Sequence, residues 1–335
     1  MPDFDKSDAN LRYDLATFCE LDTEMNRRGY IATRLFPTFQ VPRTYGKFGV
    51  IDLASLLASV DADTKRGPRG DYNTGDYKTS QRSYQTQEHG WKERVDDHDR
   101  NMYSDFFEGS SFSADEVATA RAWAHLLHTL DKRVIAKVNA LPAGQKQSVT
   151  NEWDDYENGT PIDDIEAVGE KIFNRTGVYP DTLTLSRQAW RKLRRHPQIK
   201  AEIQSGGAGD RTTVKDVTTE LVAEVLDLRQ VLVAGAVGNS ARAPKKAVIE
   251  TVWPKAMACL SVAAQTDDFK EPCFGRTFHW GGDGSEVQGE RLIGVVEEYR
   301  DEDRRKDIIR VRHETDEFVV YQEMAEQLNG IMTVS

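Results

Sequence analysis

An α+β fold is the prediction, and three stretches of the sequence carry it. One long amphipathic helix is expected over 113–139, short helices alternate with short strands over 153–236, and 247–330 reads as mainly β. At 335 residues the chain has room for one large domain or two modest ones.

Composition narrows the class. Apolar residues make up 39% of the chain, the ordinary globular range, which excludes collagen-like, mucin-like and wholly disordered chains. With 44 Lys and Arg against 55 Asp and Glu the formal net charge is −11, so a nucleic-acid binder driven by overall charge is not expected, although a local basic patch stays open. No apolar run approaches the ~20 residues a membrane-spanning helix needs. The polar, acidic start Met1-Pro2-Asp3-Phe4-Asp5 does not read as a secretory signal. Cys19, Cys259 and Cys273 are far apart and odd in number, which fits reduced, buried thiols better than a disulfide framework or a zinc site.

Along the chain, a short helix is expected over Leu11 to Asn26. Tyr30 to Pro42 follows, and its prolines at 37 and 42 argue against a helix and demote any strand to an edge, so an extended arm is predicted. Leu35, Phe36 and Phe39 are too bulky and apolar for water, so the arm is expected to lie along another surface.

Residues 61–101 contain no Leu, Ile, Met or Phe but carry Tyr72, Tyr77, Tyr84 and Trp91. Gly67-Pro68-Arg69-Gly70 and Asn73-Thr74-Gly75-Asp76 are turn signals, and Tyr77 to Thr86 suits a two-stranded ribbon polar on both faces. Such a stretch cannot build its own core, and a lone hairpin is marginal in water. It is either a disordered loop or a long flap ordered by a neighbour.

The long helix has Ser113 as its expected N-cap, with Glu116 completing a capping box. Trp123, Leu127, Leu130, Val134 and Val138 recur at three and four residues to form one apolar stripe, while Arg121, His125, His128 and Lys132 form a polar face. Leu141-Pro142-Ala143-Gly144 ends it. Its length, ~40 Å at 1.5 Å per residue, suits a strut across a thin, wide molecule.

Thr160-Pro161 opens the next helix with Asp163 and Asp164 at its positive end, Ile165, Val168 and Ile172 inward, and Gly177 as its stop. Thr182 to Leu185 is a strand. Ser186 caps a helix with Trp190 and Leu193 inward, and His196-Pro197 closes it. Thr213 to Leu226 is read as helical and Gln230 to Val237 as a buried strand. Ala256 to Ala264, Arg291 to Tyr299 and Ile308 to His313 are read as β, with Glu317 to Tyr321 pairing back across a three-residue turn. Glu297 to Asp307 reads as a solvated turn.

Motifs for bond-making chemistry are thin. Gly281-Gly282-Asp283-Gly284 lacks the Lys-Ser/Thr of a phosphate loop, Gly206-Gly207-Ala208-Gly209 reads as a flexible loop, and no Gly-x-Ser-x-Gly elbow occurs. His125 and His128, together with Asp154 and Asp155, are the one set from which a metal-dependent hydrolase could be argued, although helical spacing without HExxH favours a packed or solvated face. Arg191-Lys192-Leu193-Arg194-Arg195-His196 is the only dense basic cluster. It reads as a cationic helix end complementing the dipole or as a rim meeting acidic neighbours in an oligomer, ahead of a nucleic-acid contact.

One ordered series of motifs points to a family. Pro161-x-x-Asp164-Ile165, Thr176-Gly177-x-x-Pro180-x-Thr182-Leu183-x-Leu185-Ser186 and Ala189-Trp190-x-x-Leu193-Arg194-x-His196-Pro197-x-Ile199 are followed by Lys215-Asp216-Val217. Val231 to Val237, Asn239-Ser240-Ala241, Trp253-Pro254-Lys255 and Phe274-Gly275-Arg276-Thr277-Phe278 complete the series. In order and spacing this resembles the major capsid proteins of tailed bacteriophages, over roughly 25–325.

The resemblance implies the Hong Kong 97-like capsid fold: an N-arm at 1–45, an E-loop region at 46–104, a peripheral domain with a spine helix at 105–150, an axial domain at 151–285 and a return to the peripheral domain at 286–335. It implies a subunit that assembles with itself through pentamers and hexamers into an icosahedral shell around double-stranded DNA, in a virion assembled in the bacterial host cytoplasm. Portal and decoration proteins are implied partners, with no cofactor, no membrane and no catalysis. No long helical leader precedes the arm, so scaffolding is expected to be a separate protein. Lys65, Lys78 and Lys92 lie in the loop region, but no acceptor is identifiable and crosslinking is not carried over. Candidate intersubunit contacts are Leu35, Phe36 and Phe39 in the arm, Tyr77, Tyr84 and Trp91 in the flap, and Arg191, Arg194 and Arg195 in the axial domain. An encapsulin-type nanocompartment, sharing the fold but packaging an enzyme, is the nearest alternative, and the metal-dependent hydrolase is a remote one.

Overall fold

Trp123, Leu126, Leu127, Leu130, Val134, Ile135 and Val138 are buried along one side of a helix running Ala114–Asn139, and that side decides what packs where. The structure, a computed structural model, describes residues 10–11, 29–52, 65–66, 70–72, 74, 78–98, 100–101, 114–205, 217–239, 241, 246, 248–268, 270–282, 286–288 and 291–334. Leu11, the expected start of the first helix, is in a strand; the rest of that helix at 12–26, the N-cap Ser113, and the glycine loop at 206–209 lie outside the described residues.

In chain order the first part comprises β1 (Asn10–Leu11), α1 (Ala32–Leu35), β2 (Thr38–Val41), β3 (Tyr45–Ile51), β4 (Thr79–Gln85), β5 (Gln87–Asp96) and the long helix α2 (Ala114–Asn139). Next come β6 (Lys146–Ser148), α3 (Pro161–Thr176), β7 (Thr182–Ser186), α4 (Arg187–Leu193), α5 (Pro197–Ser205), α6 (Thr219–Val225), β8 (Gln230–Ala234), β9 (Val237–Asn239) and β10 (Ile249–Thr251). The remainder is β11 (Met257–Ser261), β12 (Gly275–Trp280), β13 (Glu286–Gln288), β14 (Arg291–Ile293), β15 (Val295–Asp301), β16 (Lys306–Val319) and β17 (Ala325–Asn329).

Two sheets organise these elements. The first is built on β16. Its 306–315 stretch pairs antiparallel with β5, while its other edge carries β15 and, from Thr315 onward, β12. β2 extends this sheet parallel to β12. Val95, Val296, Ile309 and Val311 share one core with the apolar side of α2. The second sheet has the order β6-β17-β11-β7-β8, with Leu183, Leu185, Ala258 and Leu260 covered by Ile165, Val168, Ile172, Trp190 and Leu193 from the helices. Its central strands β7 and β11 are buried throughout, as expected of a sheet covered on both faces.

Several local expectations hold. Gly177 ends α3 in the left-handed conformation at φ 75°. Ser186 caps α4 by accepting the Ala189 N–H. Asn239 Oδ1 accepts the N–H groups of Ala241 (3.1 Å) and Val248 (2.9 Å), making the Asn-x-Ala turn that joins β9 to the chain before β10.

Others are corrected. The Tyr30–Pro42 arm is not wholly extended: one helical turn, α1, forms before Pro37, and Leu35 and Phe36 are fully buried in the subunit's own core, Phe36 meeting Phe274 edge-on at 5.2 Å. Their apolar surface is covered by their own chain, so no other surface is required. The turn forms because Asp131, reaching across from α2, accepts the N–H groups of Ile31 and Ala32.

The expected hairpin turn near Thr315 is absent, because β16 runs unbroken through Val319. Glu314, Thr315 and Asp316 look like a turn by polarity, yet Thr315 is buried inside the strand and, with the neighbouring buried Glu317, meets Arg133 of α2. Thr160 makes no side-chain cap. Helix α6 starts only at Thr219, after Thr218 as its cap. The strand expected over 230–237 is interrupted between β8 and β9 where Gly29 crosses it. Gly29 has φ +75°, and a Cβ there would lie 2.6 Å from the Gly235 backbone nitrogen.

Candidate assembly surfaces

The polar ribbon finds its partner 30 residues upstream. β4 pairs antiparallel with β3, from Tyr45↔Gln85 to Ile51↔Thr79, rather than folding back on 77–86 as expected. It takes its stability from the parent sheet. Tyr84 is buried against Phe278 (5.0 Å between ring centres), and Phe48 packs on Phe278 and Phe318 at 5.5 and 5.2 Å. Phe39 of the arm joins this cluster half-buried. At the base, the Gln85 N–H donates to Asp316 Oδ2 (3.1 Å) and Thr86 Oγ1 to Glu314 Oε1 (2.7 Å), while Arg82 donates to the carbonyls of Val319 and Val320. Tyr77 lies outside the described residues.

Trp91 is not part of this ribbon. It sits on β5 in the main sheet, paired in register with Val311. Its ring is 45% exposed and stacks on His125 of α2 with centres 4.2 Å apart, and its Nε1 donates to Glu93. The flap reading of 61–101 is thereby divided: 87–96 belongs to the β16 sheet and its core with α2, because Val95 is buried there and Trp91 needs only one covered face.

Of the 297–307 segment only 302–305 forms the turn; the rest is strand on either side, with buried shoulders rather than full solvation. Glu297 and Asp307 are both buried. Arg300 bridges Asp97 and Asp307, Arg100 bridges Asp307 and Asp115, and Glu297 receives both Arg310 and Arg312. These pairs tie the start of α2 and the end of β5 to the β15–β16 turn. Only Glu297 and Asp307 are buried in this network, and the arginines that meet them keep about two-fifths of their surface exposed, Arg312 apart, so its weight comes from sharing rather than from burial.

On the second lobe, Arg191 and Arg195 are exposed and Arg194 is half-buried. Lys192 lies 3.7 Å from Asp154. His196 is buried against Tyr156, which holds its imidazole pKa below the ordinary value. Sequence reading missed another surface beside the second sheet. Phe173 and Tyr179 stack at 4.3 Å with an interplanar angle of 15°, and remain 38% and 59% exposed. The available signal was the i, i+3, i+7 spacing of Asp163, Glu166 and Glu170 on the outward side of α3.

The hydrolase constellation does not come together. His125 is occupied by Trp91, and the His128 ring lies over Gly238, where a Cβ would be 2.4 Å away. Asp154 accepts the Thr333 N–H, and Asp155 turns back on Asn158. Among the described residues no three His, Cys, Asp or Glu side chains form a group able to hold a metal ion. Burial pushes the Cys259 and Cys273 thiols up to about 12 and about 11, so both stay protonated and inert at neutral pH.

No family model matches the sequence, and no curated protein does. Solved structures do. A phage-related protein from Bordetella bronchiseptica RB50 is similar with TM-score 0.64 and 17% identity, over 96% of this chain and 98% of that one. The capsid structure of the cyanophage P-SCSP1u is similar at TM-score 0.52 and 10% identity, over 88% and 86%. The SrpI encapsulin of Synechococcus elongatus PCC 7942 is similar at TM-score 0.51 and 12% identity, over 89% and 86%. The class that these likenesses define is one of fold: the chain has the Hong Kong 97-like capsid fold, mixed α and β, along nearly its whole length.

Proposed function

We propose that the protein is a self-assembling shell subunit, the major capsid protein of a tailed bacteriophage. It closes through pentamers and hexamers into an icosahedral shell around double-stranded DNA. The observation that carries this reading is the full-length likeness in fold to a phage-related protein and to a cyanophage capsid. The arm at 1–45, a loop region at 46–86, the α2 spine with β5, and an axial lobe at 151–285 are the corresponding assignments. A separate scaffolding protein, a portal and decoration proteins are the partners that this reading calls for. The work is done by interface geometry, since many weak laps of one copy on the next give a closed shell multivalent strength. The likeness to SrpI favours a second reading, an encapsulin-type compartment that packages an enzyme.

Velocity sedimentation followed by electron microscopy tests the proposal. Megadalton hollow particles, or rings of five and six, are expected, with nuclease-resistant DNA in particles from infected cells. Particles holding a co-purifying enzyme in place of DNA point to the compartment. A chain that stays monomeric or dimeric with scaffold present overturns both.

The ribbon gives a sharper variant. The Asp52 N–H donates to the Lys78 carbonyl (3.0 Å), so 53–77 can be replaced by a two-residue Asn-Gly turn without disturbing the β3–β4 ladder. The shortened subunit should keep its melting temperature and fail to close stable shells, and normal shells from it would remove the loop from the assembly mechanism. Deleting 65–95 is a different experiment, because it strips β5 from the main sheet and should unfold the subunit.

A further inference from the structure

The helices around the second sheet carry two charged rows of opposite sign that the described residues of the chain leave without ion pairs. On α4 and just beyond it, Arg187, Arg191 and Arg195 follow one another at four-residue steps, all exposed and none in an ion pair with a described residue. On α3, Asp163, Glu166 and Glu170 share one outward face. Glu166 and Glu170 have no partner among the described residues, and Asp163 meets only the Gln198 amide at 3.5 Å. At 1.5 Å per residue the acidic row runs roughly 10 Å along α3.

A second feature marks the acidic face as a contact. The same helix ends beside the exposed Phe173–Tyr179 stack. Arginine and aromatic side chains are the types enriched in interface centres, and a guanidinium gains on an aromatic face as well as on a carboxylate. No ion pair joins the two rows within one subunit among the described residues, while the inner residues of both helices, Ile165, Val168 and Ile172 of α3 and Trp190 and Leu193 of α4, belong to one core.

We propose that the acidic and aromatic face of α3 receives the arginine row of α4 from a neighbouring copy of this chain. The contact is heterologous: one face of each copy meets a different face of the next, so repetition about an axis closes a ring. Rings of this lobe would then be selected by charge register as well as by shape. The inference rests on the shell reading above and gives that reading a specific contact.

Charge exchange in the full-length chain tests it. Arg187→Glu, Arg191→Glu and Arg195→Glu together should lower the yield of sedimenting particles about tenfold or more. Asp163→Lys, Glu166→Lys and Glu170→Lys together should do the same. All six substitutions combined should restore particles to near the wild-type yield. Full particle yield from either set alone, or a combined variant no better than the single sets, overturns the pairing. Reversal of the arginine row that lowers DNA content while leaving particle yield intact also overturns it, in favour of a nucleic-acid contact.

A gentler variant covers the case in which a reversed set fails to fold. Arg191→Lys and Arg195→Lys keep the charge, and carbodiimide treatment of the particles should couple one of these lysines to Glu166 or Glu170 of another copy. The linked peptide is then found by mass spectrometry. Its absence from intact particles overturns the contact while leaving the shell reading in place. Wild-type chain that forms no particle under any condition overturns the shell reading itself, and this contact with it.

Discussion

Acidification from about pH 7.5 to 5 should loosen the junction between β5 and β16, and replacing His313 should remove most of that response. His313 is 1% exposed, and neither of its ring nitrogens has a hydrogen-bond partner. It faces His89 across the β5–β16 ladder, with ring centres 6.0 Å apart, while His279 of β12 and Arg133 of α2 add positive potential. Glu317 is the opposing charge nearby, and it is engaged by Arg133. Burial, and then these cations, hold the His313 pKa well below the ordinary histidine value, and burial and Arg133 lower that of His89.

The folded state therefore keeps a neutral imidazole that the unfolded chain protonates. The stability is present above about pH 6.5 and is lost as pH falls toward the depressed folded value. Thr86 and Gln85, which fix the ribbon to Glu314 and Asp316, lie next to this ladder, so the ribbon's base should loosen with it. Hydrogen exchange at 87–92 and 310–315, corrected for intrinsic rates, is the measurement. Protection should fall on acidification in wild type and far less in His313→Phe or His313→Gln. Equal loss in all three would assign the titration elsewhere.

How much of this was legible in the sequence depended on range. Local signals were readable: the α2 stripe from Trp123 to Val138, the Gly177 stop and the Ser186 cap each depend on residues within a few positions. Signals that needed a distant partner were not. Leu35 and Phe36 looked stranded because the helix that buries them starts nearly 80 residues later. Residues 314–316 looked like a turn because polarity was visible, and the contact of Arg133 with Thr315 was not. The ribbon looked core-less because its anchors, Phe278 and Phe318, come from the far end of the chain.

The candidate surfaces divided the same way. Trp91, Arg191 and Arg195 are exposed as an assembly role requires, while Leu35, Phe36 and Tyr84 are committed within the subunit. Asp163 and Asp164 were read together as helix-start charges, yet they differ. Asp164 is turned inward to accept Trp153 Nε1, and only Asp163 faces out with Glu166 and Glu170.

Replacing Asp131 should change stability strongly, and in opposite senses for two substitutions. The first residues of α1 have no side-chain cap of their own, since Ile31 stands at the cap position. Asp131 supplies the acceptor from α2: its Oδ1 receives the N–H groups of Ile31 (3.1 Å) and Ala32 (2.8 Å), while its buried Oδ2 has no hydrogen-bond partner. Asp131→Ala leaves two buried donors unpaired and should cost about 2–4 kcal/mol in a denaturant melt. Asp131→Asn keeps the acceptor oxygen and removes the charge.

Burial raises the Asp131 carboxyl to about 7, against the pull of its two N–H donors. The folded state thus holds a proton that the unfolded chain releases. The stability is full below the ordinary carboxyl pKa near 3.8 and is lost as pH rises through about 7, with a span of roughly 4 kcal/mol. Asp131→Asn escapes that loss and should be more stable than wild type at about pH 8. Between about pH 5 and 6.5 the Asp131 and His313 contributions slope in opposite directions and partly cancel in the wild-type melt. Asp131→Asn should therefore sharpen the acid sensitivity that remains, and His313→Phe should reverse its slope. Melts of both variants that shift the same way with pH would show that at least one of these buried groups does not carry the proton assigned to it.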